Sequence, residues 1–170
     1  MDKIQFWLTD SLLLKDYVTL LNAGLGVCSI YFTIMQSFVI AGILIFLAVI
    51  ADYADGLLAR KTNTKNKLGK ELDSLSDIVS FGVAPAILSL YLNSSLLTLI
   101  CSVVFVCAGI VRLAKFNLQK VKGTYIGLPI PIAAIILSII NLVLPPIIPG
   151  SLIVLSVIMV SGVQFRKIGV

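Results

Sequence analysis

The sequence predicts an all-α integral membrane protein. Six transmembrane helices follow a short amphipathic interfacial helix, all in one domain over residues 1–170. Three observations predict this. The 170-residue chain is 59% hydrophobic and 12% charged, where a soluble domain averages about 25% charged. Six apolar stretches approach the roughly 20 residues that a helix needs to cross a bilayer. All 13 basic residues fall on one side of the layout that these stretches define.

The first 16 residues contain Asp2, Lys3, Asp10 and Lys15 and no long apolar run, so they do not read as a signal peptide. Ile4, Trp7, Leu8 and Leu12 recur at helical spacing, with Gln5, Thr9 and Asp10 largely opposite. That pattern predicts a helix lying in the interface over 1–16, with Trp7 at headgroup level. The predicted spans are 17–35, 38–60, 69–91, 96–115, 126–144 and 151–165. Gln36-Ser37, Asn93-Ser94-Ser95 and the loop from Pro145 to Gly150 lie on one side and carry no charge. Loops 61–68 and 116–125 lie on the other side, with both termini. Short loops rich in Lys and Arg stay in the cytoplasm. Six spans with cytoplasmic termini therefore account for every basic residue, whereas five or seven would export some of them. The net charge of +5 is a topology signal first, with attraction for anionic lipid second, and it does not indicate nucleic-acid binding.

The chain has no histidine, which excludes His-based triads, His-ligated zinc and a histidine base. Cys28, Cys101 and Cys107 sit inside apolar runs without paired spacing. They read as small packing residues, not as a disulfide or zinc framework.

Chemistry concentrates at the ends of spans two and three, which carry Asp52, Asp55, Asp73 and Asp77. A carboxylate at mid-membrane costs about 2.5–3.5 kcal/mol on insertion scales, so four of them must line a polar cavity. Asp52 and Asp55 lie about 60° apart on a helix, and Asp73 and Asp77 about 40° apart. Each pair makes one acidic face. The polar stretch 61–68 turns the chain back and lets the two faces meet. Four carboxylates that close require a counter-charge. Oxygen ligands without His or Cys select a hard cation such as Mg²⁺, Mn²⁺ or Ca²⁺. Four acids suit two ions, a recurring clamp for displacement at phosphorus. Gly56 leaves room for a phosphorylated group, Ala59 adds space, and Arg60, one turn on, can fork onto phosphate oxygens. Two other readings of the acids stand beside this one: a helix interface sealed by Lys and Arg, and a divalent-cation transporter. The transporter fits less well, because the outward stretches 40–49 and 96–106 are almost wholly apolar.

The pattern Asp52-x2-Asp55-Gly56-x2-Ala59-Arg60-x8-Gly69-x3-Asp73-x3-Asp77 resembles the signature of the CDP-alcohol phosphatidyltransferase family at all eight fixed positions. The resemblance implies six membrane helices, often with an N-terminal interfacial helix, and a homodimer. It implies that Asp52, Asp55, Asp73 and Asp77 ligate two divalent ions, Mg²⁺ or Mn²⁺, and that Gly56 and Arg60 contact the CDP-linked donor. Asp77 corresponds to the general base that deprotonates the acceptor alcohol. Thr19 and Asn22, one turn apart, fall in a segment similar to the family's first-helix motif, near the nucleotide. Helix packing is the other reading of that pair.

Flanking residues bear on the acceptor. The run from Asp73 to Ala86 (DSLSDIVSFGVAPA) resembles the branch that joins CDP-diacylglycerol to serine. Arg112-Leu-Ala-Lys115-Phe116-Asn117 and Gly127-Leu-Pro-Ile-Pro131 do so as well, although Lys115 stands where that branch usually has Arg. The resemblance thus implies transfer of a phosphatidyl group from CDP-diacylglycerol, or from CDP-archaeol, to L-serine, releasing CMP. Glycerol 3-phosphate or inositol phosphate is the alternative acceptor. Arg112 and Lys115, one turn apart, are candidates for the serine carboxylate or a donor phosphate, with positive-inside anchoring as the plainer reading. Ser80 and Ser76 are candidates near the acceptor, although a membrane-helix serine often bonds its own backbone.

Overall fold

A computed structural model describes residues 14–62, 67–118, 124–161 and 164–166. Its helices are α1 (Leu14–Ile34), α2 (Phe38–Thr62), α3 (Lys67–Asp77), α4 (Ala84–Leu92), α5 (Leu96–Leu118), α6 (Ile130–Val143) and α7 (Ile148–Val160). A π-helical turn, Ile78–Val83, joins α3 to α4 without a break, and a 3₁₀ turn, Pro145–Ile147, leads into α7. Two short strands, β1 (Thr124–Ile126) and β2 (Gln164–Arg166), pair antiparallel and are the non-helical element of the described fold. The interfacial helix expected over 1–16 lies outside the described residues, except for its last three, which begin α1.

Four helical stretches are long and apolar enough to cross a membrane: Asp16–Ile34, Phe38–Leu58, Leu68–Leu92 and Leu96–Leu118. This is an all-helical membrane architecture, and its first four spans match the stretches read from sequence. The last two helices are shorter than expected. The fifth begins at Ile130, not at residue 126, and the last ends at Val160 instead of 165. The cause is local. Gly127 takes a left-handed φ of +76°, and Pro129 holds an extended ψ of 135°. Leu128 precedes a proline, which disfavours helical geometry. Helix therefore starts only once the Gly127-Leu-Pro segment has passed.

Lipid tails are as apolar as leucine, so helices in a bilayer associate through close packing and interhelical hydrogen bonds. The small residues Ala41, Ala48 and Ala51 line the buried face of α2, and Ala133 and Ala134 line that of α6. Phe81, Leu88, Phe105, Leu137 and Leu152 fill the space between elements. Leu21, Val27, Ile43, Ile50, Val103 and Val157 point outward, as a lipid solvent requires.

α1 and α2 form an antiparallel hairpin. Its turn is closed by Ser37 N–H donating to the Phe32 carbonyl and Gln36 N–H to the Thr33 carbonyl, at 2.9 Å each. This is a Schellman end with Gln36 left-handed at φ 59°. Ser29 Oγ then donates to the Ala41 carbonyl at 2.9 Å and fixes the register. At the same end of the bundle, Ser95 Oγ accepts from Thr98 N–H at 3.1 Å and caps α5. Asn93 Nδ2 donates to the Pro145 carbonyl at 3.4 Å. Two of the three uncharged loops read as sharing one face are thus in contact. A buried pair reinforces the core: Ser89 Oγ donates to Asn141 Oδ1 at 3.0 Å, and Asn141 Nδ2 to the Pro85 carbonyl at 3.3 Å.

Gly127 accepts no side chain, since a Cβ there would collide with the Met159 carbonyl oxygen. Gly127→Ala is expected to destabilise the fold by about 1–3 kcal/mol, the usual magnitude for a left-handed non-glycine residue. The detergent-purified variant should melt several degrees below wild type by circular dichroism, and equal melting curves would contradict this account.

Candidate active site

The acidic signature assembles where α2, two to three turns before its end, meets the second half of α3. A carboxylate oxygen from each of Asp52, Asp55 and Asp73 lies within 4.8 Å of the others. Asp77 lies within electrostatic reach of all three and within hydrogen-bonding reach of Asp52. Asp55 and Asp77 are buried, whereas Asp52 and Asp73 are half-buried, so two of the four acids keep accessible surface. Oxygen ligands on one ion at 2.3–2.6 Å lie up to about 5 Å apart, and the observed spacing fits a shared hard cation. The donor set agrees, since no nitrogen or sulfur ligand is among these residues.

Helix geometry accounts for the arrangement. The Asp52/Asp55 and Asp73/Asp77 spacings each put two acids on one face. α3 continues through the π turn directly after Asp77, with Ala84 N–H donating to the Val79 carbonyl five residues back. Such wide turns recur at functional sites and shift the register of the side chains beyond them. Here the turn buries Ser80, Phe81 and Gly82 in the bundle.

α1 supplies the neighbouring polar groups. Thr19 Oγ1 donates to Asp55 Oδ2 at 2.7 Å. Asn22 Nδ2 donates to Asp77 Oδ1 at 3.3 Å. Both α1 side chains are buried. Ser80 Oγ donates to the Asn22 backbone carbonyl at 2.8 Å, so its hydroxyl is engaged by α1 within the core. Gly26 permits this contact, because a Cβ there would come to 2.8 Å from Ser80 Cα. Ser76 is also buried.

The remaining sequence candidates take varied positions. Gly56 is half-buried on α2, one residue beyond Asp55. The backbone at Ala59 and Arg60 is helical, as α2 runs on to Thr62. Arg112 is buried near the end of α5, its guanidinium 5.6 Å from the Phe116 ring centroid. One turn earlier, Gly109 packs against Ile78, the residue after Asp77: a Cβ there would lie 3.4 Å from Ile78 Cδ1. That puts Arg112 near the level of the acidic end of α3. Lys115 is exposed.

Two devices were not assigned from sequence. One is the π turn, which leaves no local composition signal. The other is a clamp between α3 and α5. Lys70 Nζ donates to the Asn117 carbonyl at 2.6 Å, and Asn117 Nδ2 donates to Ser74 Oγ at 2.8 Å. Lys70 and Ser74, four residues apart, share a helix face, but a partner on a distant helix is not visible in that spacing.

Comparison with known proteins agrees with the signature. The sequence pattern described as CDP-alcohol phosphatidyltransferase matches residues 12–164. The chain is 44% identical over 157 residues to a CDP-diacylglycerol–serine O-phosphatidyltransferase of Methanocaldococcus jannaschii, covering 91% of this chain and 74% of that protein. It is 42% identical over 136 residues to an archaetidylserine synthase of Methanothermobacter thermautotrophicus, covering 77% of this chain and 58% of that longer protein. It is 35% identical over 154 residues to a CDP-diacylglycerol–serine O-phosphatidyltransferase of Bacillus subtilis, covering 87% and 86%.

If the cluster holds hard cations, Asp73→Asn should weaken Mn²⁺ binding by about 10-fold or more, since even outer partners of a metal site are worth 10–100-fold. Titration of the purified variant by electron paramagnetic resonance measures this, and wild-type affinity would remove Asp73 from the ligand set.

Proposed function

Because the chain belongs to the CDP-alcohol phosphatidyltransferase family, we propose that it transfers a phosphatidyl group from a CDP-linked lipid to L-serine and releases CMP. The observation that carries this reading is the convergence of Asp52, Asp55 and Asp73 within 4.8 Å, with Asp77 beside them. Serine as acceptor is supported by the relatives named for it.

Asp52, Asp55, Asp73 and Asp77 would hold two divalent ions, Mg²⁺ or Mn²⁺. Ions bound there would supply positive charge to the diphosphate and to departing CMP. Asp77 takes the proton of the serine hydroxyl, whose own acidity is far too weak for attack near neutral pH. The serine oxygen forms a bond to the lipid-bearing phosphorus, and the bridging oxygen leaves with CMP. We assign Gly56 and Arg60, one turn apart on α2, to the CDP-linked donor, with Gly56 adding no side chain in the way of the diphosphate. Arg112 and Lys115, one turn apart on α5, are our assignment for the serine carboxylate or a donor phosphate.

The bilayer orients the reaction. Six crossings, with both termini and the acidic pocket facing the cytoplasm, keep all 13 basic residues inside. In that arrangement α6 and α7 complete the bundle as short spans. The lipid tails remain in the membrane while the headgroup is exchanged. The family resemblance supports a homodimer. The archaeal relative named archaetidylserine synthase favours an ether-lipid donor, CDP-archaeol, as a second reading beside CDP-diacylglycerol.

Purified protein incubated with CDP-diacylglycerol or CDP-archaeol, Mn²⁺ or Mg²⁺ and single acceptors should release CMP with serine. Release only with glycerol 3-phosphate or inositol phosphate would reassign the acceptor, and metal flux in liposomes without CMP release would favour a transporter. Asp77→Asn should lower turnover by about 10²–10⁴-fold, the usual contribution of a general base, with CDP-lipid binding largely kept. Equal loss of both would make Asp77 a binding residue.

A further inference from the structure

Two buried side chains of α1 face the acidic cluster through hydrogen bonds that neither the signature nor the general chemistry of the site requires. Thr19 Oγ1 reaches Asp55 at 2.7 Å and Asn22 Nδ2 reaches Asp77 at 3.3 Å. We propose that α1 is a positioning rail for the site, in which Thr19 sets the affinity for the cations through Asp55 and Asn22 sets turnover through Asp77. The proposal rests on the reading of Asp55 as a cation ligand and Asp77 as the base. It differs from the sequence expectation that both α1 residues contact the CDP-lipid.

Four features carry it. Both side chains are almost wholly inaccessible, at 3% exposure for Thr19 and 0% for Asn22. A residue that binds a substrate directly needs a face open to it, whereas one that acts through its neighbour does not. Both donors are neutral. A lysine or arginine in either place would orient the carboxylate but also neutralise it and compete with a cation. A hydroxyl and an amide fix the rotamer and leave the negative charge available.

The orientation of the Asn22 amide is forced as well. Asp77 ionised, as a base must be, only accepts, so the NH₂ end faces it. Asn22 Oδ1 is then left buried without a hydrogen-bond partner. That is a penalty which a leucine of similar volume would avoid, so packing alone does not explain an asparagine here. Finally, the rail is anchored next to the base. Ser80, three residues beyond Asp77, donates to the Asn22 carbonyl at 2.8 Å, and Gly26 lets α1 approach the π turn closely enough for that bond.

The test separates the two roles. Full-length protein in detergent is titrated with Mn²⁺ and followed by electron paramagnetic resonance, then assayed for kcat and KM with CDP-lipid and serine. Thr19→Val, which keeps the shape and removes the hydroxyl, should weaken Mn²⁺ binding by about 10-fold, and Thr19→Ser should restore most of it. Asn22→Leu should lower kcat by about 10-fold or more, keep KM for both substrates within about threefold, and not recover when Mn²⁺ is raised. Asn22→Ala gives a second reading at that position if leucine does not fold. Wild-type Mn²⁺ affinity in Thr19→Val overturns the role of Thr19. A higher KM for the CDP-lipid with kcat retained in the Asn22 variants overturns the role of Asn22 and restores it as a donor contact. Loss of the helical melting transition in every variant would make the contacts structural and also defeat the proposal. If the wild type releases no CMP with serine, the acceptor assignment fails, yet Mn²⁺ binding by the Thr19 variants still decides the claim for Thr19.

Discussion

Mutual repulsion among carboxylates in a low-dielectric bundle is the constraint on which this molecule is organised. Three aspartate oxygens lie within 4.8 Å of one another, and a fourth acid stands beside them. Charges at such distances interact strongly away from bulk water. A fold that only had to be stable would disperse them. Holding them together demands rigid helices and hydrogen-bond donors that do not cancel the charge. It also demands accessible surface for a compensating cation. Each of these has a counterpart in the structure: α2 and α3, the Thr19 and Asn22 contacts, and the half-buried Asp52 and Asp73.

The packing beneath the site follows from the same demand. Hydrophobic burial gives little drive between helices in lipid, so precision has to come from close contact. Alanines along α2 and α6 let backbones approach, and Gly26 brings α1 against the π turn at Ser80. The Lys70–Asn117–Ser74 clamp ties α3 to α5 at the polar end. On the far side, Asn93 and Pro145 join the uncharged loops. The bundle is thus pinned by polar contacts at both ends.

Legibility differed by element. The first four spans were readable because long apolar runs have few alternatives in water or lipid. The acidic faces were readable because i,i+3 and i,i+4 spacing alone puts two acids on one side of a helix. The last two helices were read too long, because the apolar character of Ile126 and Phe165 continues past the point where Gly127, Pro129 and Ser161 end helical geometry. Hydropathy does not register a backbone angle. The β1–β2 pair joins segments about forty residues apart in the chain, and neither segment alone has a strand pattern long enough to notice.

By itself the sequence determined the solvent, the depth of the acidic residues and the chemistry they suit. These depend on composition and helical periodicity, which are local properties. Only the tertiary structure decided what each polar side chain touches. Thr19, Asn22 and Ser80 carry hydroxyl and amide groups that could equally meet a nucleotide, a serine or their own backbone. Their partners lie 36, 55 and 58 residues away, and such pairings arise when helices pack, because a short polar group accepts whichever donor or acceptor the neighbouring helix brings within about 3 Å.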